Sequence, residues 1–194
     1  MPRILDLTFS FMLLVLLFPL MAIVAAAILL SGRSPLFKHK RIGFKGVEFP
    51  CFKFTSMKGV DELSSYDLNR VKLETTRYGK VINDPRITFI GKFLRKTSID
   101  ELPQLFNVLI GDMSLVGPRP VTKQEIHKYG KFKNHYFSVR PGMTGLWQVS
   151  GRSNVTFRRR VAMDVFYIRN KSAQLLLLIL IKTVFVVAIA KGAA

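Results

Sequence analysis

The apolar positions gather at the two ends of the chain and leave a charged middle. Residues 7–30 form an uncharged apolar run of 24 residues. As a straight helix this run reaches about 36 Å, enough to cross a bilayer. Pro19 stands near its centre. It has no N–H to donate, and its ring crowds the carbonyl of Val15, so the pattern predicts a kink there. The two arms, residues 7–18 and 19–30, are each too short to span. Three readings follow: one kinked transmembrane helix, a re-entrant hairpin that returns to its own face, or a signal peptide cleaved near Ala25-Ala26-Ala27. The run continues past those alanines, which counts against the last. At the other end, residues 175–190 are apolar except for Lys182 and Thr183. That run is short for a span, and a central lysine costs about 2.5–3.5 kcal/mol on insertion. It reads as a helix lying on or in the membrane interface.

Between these ends the periods are short. Residues 49–54 are aromatic-rich and strand-like, interrupted by Lys53. Residues 61–80 are polar and read as a surface helix or loop. Asn83-Asp84-Pro85-Arg86 is a turn. Ile87, Ile90, Phe93 and Leu94 recur at helical spacing, and residues 102–110 form a second short helix. Gly117-Pro118-Arg119-Pro120 is a non-helical turn, because two prolines forbid a regular helix there. Residues 121–136 read as an exposed helix, Pro141-Gly142 with Gly145 as a loop, and residues 157–170 as a further helix. The predicted class is α+β, mostly helical, in three parts: an apolar membrane helix over 1–34, a cytoplasmic domain over 35–171, and an interfacial helix over 172–194.

Charge changes the picture. Thirty Lys and Arg against 12 Asp and Glu give a formal net charge of +18. Such an excess attracts polyanions: nucleic acid, an anionic lipid surface or phosphorylated substrates. The apolar ends favour the last two, and no zinc-finger spacing or RNA-binding aromatic motif supports the first. Arg33, Lys38, Lys40, Arg41 and Lys45 follow the first apolar run, which marks that flank as cytoplasmic. The lone cysteine, Cys51, can form no intramolecular disulfide, in keeping with a reducing compartment.

Chemistry concentrates in residues 95–104, RKTSIDELPQ. Ser98 with Glu101 three residues on has the form of a capping box, which would make Ser98 an N-cap and put Asp100 in a first turn. Ser-x-Asp-Glu is also an ordinary helix start. An ionised Asp100 can attack phosphorus where cations neutralise the phosphate, and Arg95 and Lys96 lie just upstream. Asp100 and Glu101, adjacent in sequence, could still reach one bound cation at a helix end.

Residues 95–107 (RKTSIDELPQLFN), the continuation Gly111 to Pro120, and Arg140-Pro141-Gly142-Met143-Thr144-Gly145-Leu146-Trp147-Gln148-Val149 closely resemble the bacterial sugar transferase family, the monotopic phosphoglycosyl transferases. The resemblance extends from the proline-broken N-terminal segment and Arg41-Ile42-Gly43 to Asp164-Val165-Phe166-Tyr167, and fits the minimal catalytic form. It implies an enzyme whose N-terminal helix, residues 1–34, is a re-entrant hairpin, on the cytoplasmic face of the bacterial inner membrane, with UDP-sugar and polyprenyl phosphate as substrates, an anionic membrane as partner, no nucleic acid, and self-association left open. It implies that Asp100 attacks the β-phosphate and releases UMP, and that the sugar phosphate then passes to the carrier, the first membrane step of exopolysaccharide synthesis. Mg²⁺ would be held by Asp100 and Glu101. Substrate contacts would come from Arg95, Pro118, Arg119, Arg140, Gln148 and Asp164. Phe18 departs from the family's usual serine before the proline, Thr55 from an arginine, Lys38-His39 from Arg-Gln, and Trp147 from a smaller residue. A non-catalytic membrane scaffold, the competing class, would predict erosion at Asp100, Glu101, Arg95 or Arg119. All four are present.

Overall fold

The computed structural model describes residues 2–78, 81, 83–151 and 155–189. Gly79, Lys80 and Ala190, the ends of two expected stretches, lie outside the described residues. Helix α1 runs Arg3–Leu30 and is the one described helix long and apolar enough to cross a membrane. It continues through Pro19 as one helix, where the sequence pattern places a kink between two arms. Proline removes one backbone hydrogen bond. A single buried stripe (Leu14, Met21, Val24, Ile28) packs on both sides of it and holds the helix together. The remaining apolar side chains of α1, Leu16 and Phe18 among them, are exposed.

Both ends of α1 meet the body. Arg3 donates to the carbonyls of Leu109 (3.0 Å) and Met113 (3.5 Å). Asp6, 2% exposed, accepts from the Ser114 hydroxyl (2.9 Å) and the Leu115 N–H (3.0 Å). Past the other end Arg33 pairs with Glu62, and Ile28 is buried in the main core. A buried carboxylate is costly unless hydrogen-bonded, so these contacts fix which face of α1 turns inward.

The body begins with a hairpin, β1 (Leu36–Ile42) and β2 (Glu48–Phe54), antiparallel with Leu36 opposite Phe54 and Ile42 opposite Glu48. Next come α2 (Ser65–Tyr78), α3 (Phe89–Thr97) and α4 (Gln104–Ile110). Asn107 is fully buried and ties α4 to β2. Its carboxamide accepts from the Phe52 N–H (2.9 Å) and donates to the Pro50 carbonyl (2.7 Å).

A second pair, β3 (Ser114–Val116) with β4 (Gly142–Thr144), is parallel, and it puts Gly142 in a strand where the sequence pattern predicts a loop. A Cβ on Gly117 or Gly142 would collide with backbone across the pair, so glycine is what lets these segments meet. Residues 121–136 are not one exposed helix. They form α5 (Lys123–Ile126), a 3-10 stretch His127–Phe132 broken at Gly130 (φ 52°), and α6 (Lys133–Phe137). Ile126, Tyr129 and Tyr136 are buried in a second core cluster with Val161 and Val165. Those last two residues come from α7 (Phe157–Arg169), where a helix was expected.

The final helix, α8 (Ala173–Ala188), is capped by Ser172, whose hydroxyl accepts the Leu175 N–H (3.2 Å). It lies on β3–β4 through fully buried Ile179 and a Thr183–Thr144 hydroxyl contact (2.7 Å). Its outer face exposes Leu177, Leu178, Ile181, Val184 and Phe185. Mixed α+β composition with a long apolar N-terminal helix agrees with expectation.

Candidate active site

Helix α3 ends at Ser98, which takes left-handed backbone angles (φ 60°, ψ 16°). For a non-glycine residue this conformation costs about 1–2 kcal/mol. It swings the chain into a 3-10 turn, Ile99–Glu101, ahead of α4. The expected capping box is therefore absent. Ser98 makes no side-chain cap; its carbonyl accepts the Glu101 N–H (3.2 Å), and Pro103 precedes α4. The turn places Asp100 and Glu101 beside β2.

Glu101 is the anchor. One carboxylate oxygen accepts from the Lys53 ammonium at 2.6 Å and from the Arg119 guanidinium at 3.0 Å. Its side chain is 17% exposed. Burial alone would raise its pKa, but Arg119 and Lys53 outweigh that and hold it well below the usual carboxylate range. Glu101 in turn raises Arg119. Glu101 is therefore a fixed anion at neutral pH.

Asp100 is the opposite case. It is 7% exposed and makes no hydrogen bond among the described residues. Burial and then the Glu101 charge raise its carboxyl, with Lys53, Arg95 and Arg119 partly offsetting them. Adjacent carboxylates pushed in opposite directions mark division of labour in a site. No cluster of three metal-ligating side chains occurs among the described residues. Two carboxylates still suit Mg²⁺, which takes one or two carboxylates and completes its shell with water and substrate phosphates.

Arg95 sends one nitrogen to the Met57 sulfur (3.7 Å), while its Nε is buried and without a partner. A buried donor left unpaired costs about 1–3 kcal/mol, a cost an anion would remove. Arg119 also lies 6.0 Å from the Trp147 ring, and the Arg160 guanidinium is 4.5 Å from the same ring.

The other sequence-derived candidates divide. Pro118 is buried, and its carbonyl accepts the Gly142 N–H (2.7 Å), which shapes the turn bearing Arg119. Gln148 donates to the Met143 carbonyl (3.1 Å) and leaves its own carbonyl oxygen buried and unpaired. Arg140 is exposed, donates to the Gly111 carbonyl (2.7 Å) and lies over Phe44; it contacts neither carboxylate of the dyad. Asp164 is 1% exposed and accepts from the Tyr129 hydroxyl (2.7 Å), and burial lifts it to about 7. Tyr129 packs edge-on against Tyr136 (5.1 Å). The Tyr136 hydroxyl holds the Arg119 turn, accepting from the Val121 N–H (3.2 Å) and facing the carbonyls of Ile42 and Arg119. Asp164 is thus placed behind Arg119.

Lys53, Met57 and Arg160 were not singled out for the site from sequence. Lys53 left a signal: it is a lone charge in an aromatic-rich strand.

The bacterial sugar transferase family model matches residues 1–190. The undecaprenyl-phosphate galactose phosphotransferase of Salmonella typhimurium is 44% identical over 196 residues, covering 98% of this chain and 41% of that protein. The exopolysaccharide production protein ExoY of Rhizobium meliloti is 43% identical over 184 residues, 92% of this chain and 81% of the relative. The UDP-glucose:undecaprenyl-phosphate glucose-1-phosphate transferase of Xanthomonas campestris pv. campestris is 41% identical over 176 residues, 86% and 34%. The chain thus spans about two fifths of the first of these relatives. With the Asp100–Glu101 dyad in its cationic setting, this match over almost its whole length establishes that the chain belongs to the bacterial sugar transferase family.

Proposed function

We propose that this chain is a phosphoglycosyl transferase that moves a sugar 1-phosphate from a UDP-sugar to polyprenyl phosphate in exopolysaccharide synthesis. The observation that carries it is Asp100: a buried carboxylate without a hydrogen bond among the described residues, beside an anion neutralised by Lys53 and Arg119. Relatives are named for transfer to undecaprenyl phosphate and for exopolysaccharide production, and galactose and glucose are the sugars in those names.

In the reaction, an Asp100 oxygen attacks the β-phosphorus of the donor. The bond from that phosphorus to the bridging oxygen breaks, and UMP leaves with the electron pair. The sugar phosphate remains on Asp100 as an acyl phosphate. A phosphate oxygen of the lipid then attacks the same phosphorus, and the aspartate is released. Arg95 and Arg119 neutralise the phosphates, and Lys53 keeps Glu101 ionised. Mg²⁺, held by Asp100 and Glu101 and completed by phosphate oxygens, would supply further charge neutralisation. Glu101, ionised throughout the neutral range, suits a metal ligand better than a proton donor. The test is UMP release from UDP-galactose, UDP-glucose and UDP-N-acetylated sugars with undecaprenyl phosphate. A folded preparation that releases UMP from none of them overturns the reading.

The raised Asp100 gives a pH prediction. The nucleophile must be ionised, so kcat/KM in the donor half-reaction falls as pH drops through the Asp100 pKa. That acid limb lies above the ordinary aspartate value of about 3.9. A limb at or below that value would show that another group limits the rate.

The same reading sets α1 with both ends on the cytoplasmic side. A 28-residue helix is about 42 Å long, and contacts with the body at Arg3, Asp6 and Ile28 favour a helix held along the body over one crossing away from it. In intact cells, a Pro2→Cys, Cys51→Ser variant should resist an impermeant thiol reagent. Labelling from outside would establish a spanning helix.

A further inference from the structure

A groove of about 670 Å³ opens between the 3-10 stretch His127–Phe132 and α7, on a face that includes none of the dyad or its cations. Its volume falls in the range of ligand sites, about 300–1,000 Å³. The floor is apolar, made by Phe132, Phe157, Val161 and Val165. Lys128 and Lys131 stand on one bank, Arg158 and Arg169 on the other, all four exposed. No acidic side chain lines it among the described residues.

We propose that this groove binds an anionic phospholipid of the bilayer, with an acyl chain against the phenylalanine and valine floor and the headgroup phosphate between the two basic banks. The charge is complementary: four cations and no anion surround an apolar slot. The groove is also continuous with the lipid-facing part of the molecule. Arg169 and Asn170 close one end of it, and α8 starts at Ala173 with an outer face of exposed leucine, isoleucine, valine and phenylalanine. A helix with that much exposed apolar surface belongs in the interface, so the groove mouth lies within one helical turn of the bilayer surface. Phe166, 53% exposed between Arg158 and Arg169 in sequence, adds an aromatic contact at the same height. Basic groups near an anionic leaflet strengthen such binding. An acyl chain suits the floor better than a peptide strand, because Phe132, Phe157, Val161 and Val165 offer no partner to a peptide backbone. The inference rests on reading α8 as lipid-facing and goes beyond the transfer reaction, since the groove holds none of its residues.

The test uses the full chain purified in detergent. Native mass spectrometry follows incubation with equal amounts of phosphatidylglycerol and phosphatidylcholine, with no donor sugar present. Wild type should retain one phosphatidylglycerol at least tenfold over phosphatidylcholine. Lys131→Glu with Arg158→Glu should abolish that preference. Ala162→Trp, which fills the groove from an exposed position, should reduce retention of both lipids. Each variant should keep the wild-type melting temperature and donor-dependent UMP release, so loss of retention is not loss of fold. Equal retention of the two lipids by wild type, or unchanged retention in both variants, overturns the proposal. Displacement of phosphatidylglycerol by one equivalent of undecaprenyl phosphate also overturns it, assigning the groove to the acceptor. Failure of UMP release in wild type would instead strike the transfer reaction and leave the lipid measurement standing.

Discussion

Given UDP-sugar and Mg²⁺ without any lipid, the protein should release about one UMP per active site and then stop, holding a phosphosugar on Asp100. The geometry argues for this half-reaction. Asp100 is desolvated and makes no hydrogen bond among the described residues, so little must be broken before it attacks. Its basicity is raised by burial and by Glu101, which strengthens it as a nucleophile once ionised. The adduct is an acyl phosphate, and hydroxylamine should cleave it. Asp100→Asn should form no adduct and should lose on the order of 10⁴-fold or more in turnover, the scale of removing a covalent nucleophile. Glu101→Gln should be severely impaired, with at most a trace of adduct. Direct attack by the polyprenyl phosphate predicts instead no lipid-independent burst and no mass change on the peptide carrying Asp100. An unmodified intact mass in a preparation shown to turn over with lipid would falsify the covalent route.

The same residue makes a stability prediction of opposite sign. A carboxyl whose pKa is higher folded than unfolded binds its proton more tightly in the native state. Its ionisation therefore destabilises the fold, beginning above the unfolded value of about 3.9 and complete above the folded one. Asp100→Asn should melt higher than wild type at pH 8 and no higher at pH 3. Glu101 runs the other way. Its folded pKa is depressed, so the stability it contributes is present at neutral pH and lost only as pH falls through its low folded value. A lower melting temperature for Asp100→Asn at pH 8 would mean that Asp100 supports the fold.

How far the sequence shows this site depends on the range of the forces that build each part. The helical character of the apolar run at each end, the helix of residues 157–170 and the Pro-Arg-Pro turn follow from period and proline chemistry, whereas the break expected at Pro19 does not interrupt α1. Ser98 does not fold as read. Ser-x-x-Glu fits a capping box, but Ser98 instead closes α3 in a left-handed conformation and leads into a 3-10 turn, which no local pattern records. The α5–α6 region reads as exposed because its charges are many, while Ile126, Tyr129 and Tyr136 face α7 and β1 from far along the chain. The β3–β4 pair has three residues in each strand, too few for an alternating period, and it exists because Gly117 and Gly142 let two backbones touch. At the site, Asp100, Glu101, Arg95 and Arg119 stand out through the resemblance, and the structure gathers them. Lys53 joins them through contacts distant in sequence, among them the Asn107 clamp between α4 and β2, which links residues 55 positions apart.

The cation set should separate by what each residue does for the empty fold. Arg119→Ala and Arg95→Ala should each lose about 2–4 kcal/mol of transition-state stabilisation, roughly 30- to 1,000-fold in kcat/KM, since each removes a charged donor from developing phosphate charge. Arg119 is also ion-paired with Glu101 at 3.0 Å, and Trp147 packs beside it. Its loss leaves Glu101 with Lys53 alone and should lower the melting temperature as well. Arg95 carries no ion pair among the described residues, and its Nε is already unsatisfied there. Arg95→Ala should therefore cost activity with the melting temperature unchanged or higher. Arg119→Lys keeps the charge but loses the planar fork that meets a carboxylate and a phosphate together, so it should recover stability more than rate. Rates near wild type in both alanine variants would rule out this placement of the phosphates. A large stability loss in Arg95→Ala would mean that its buried Nε has a structural partner, and that the site does not hold it ready for an anion.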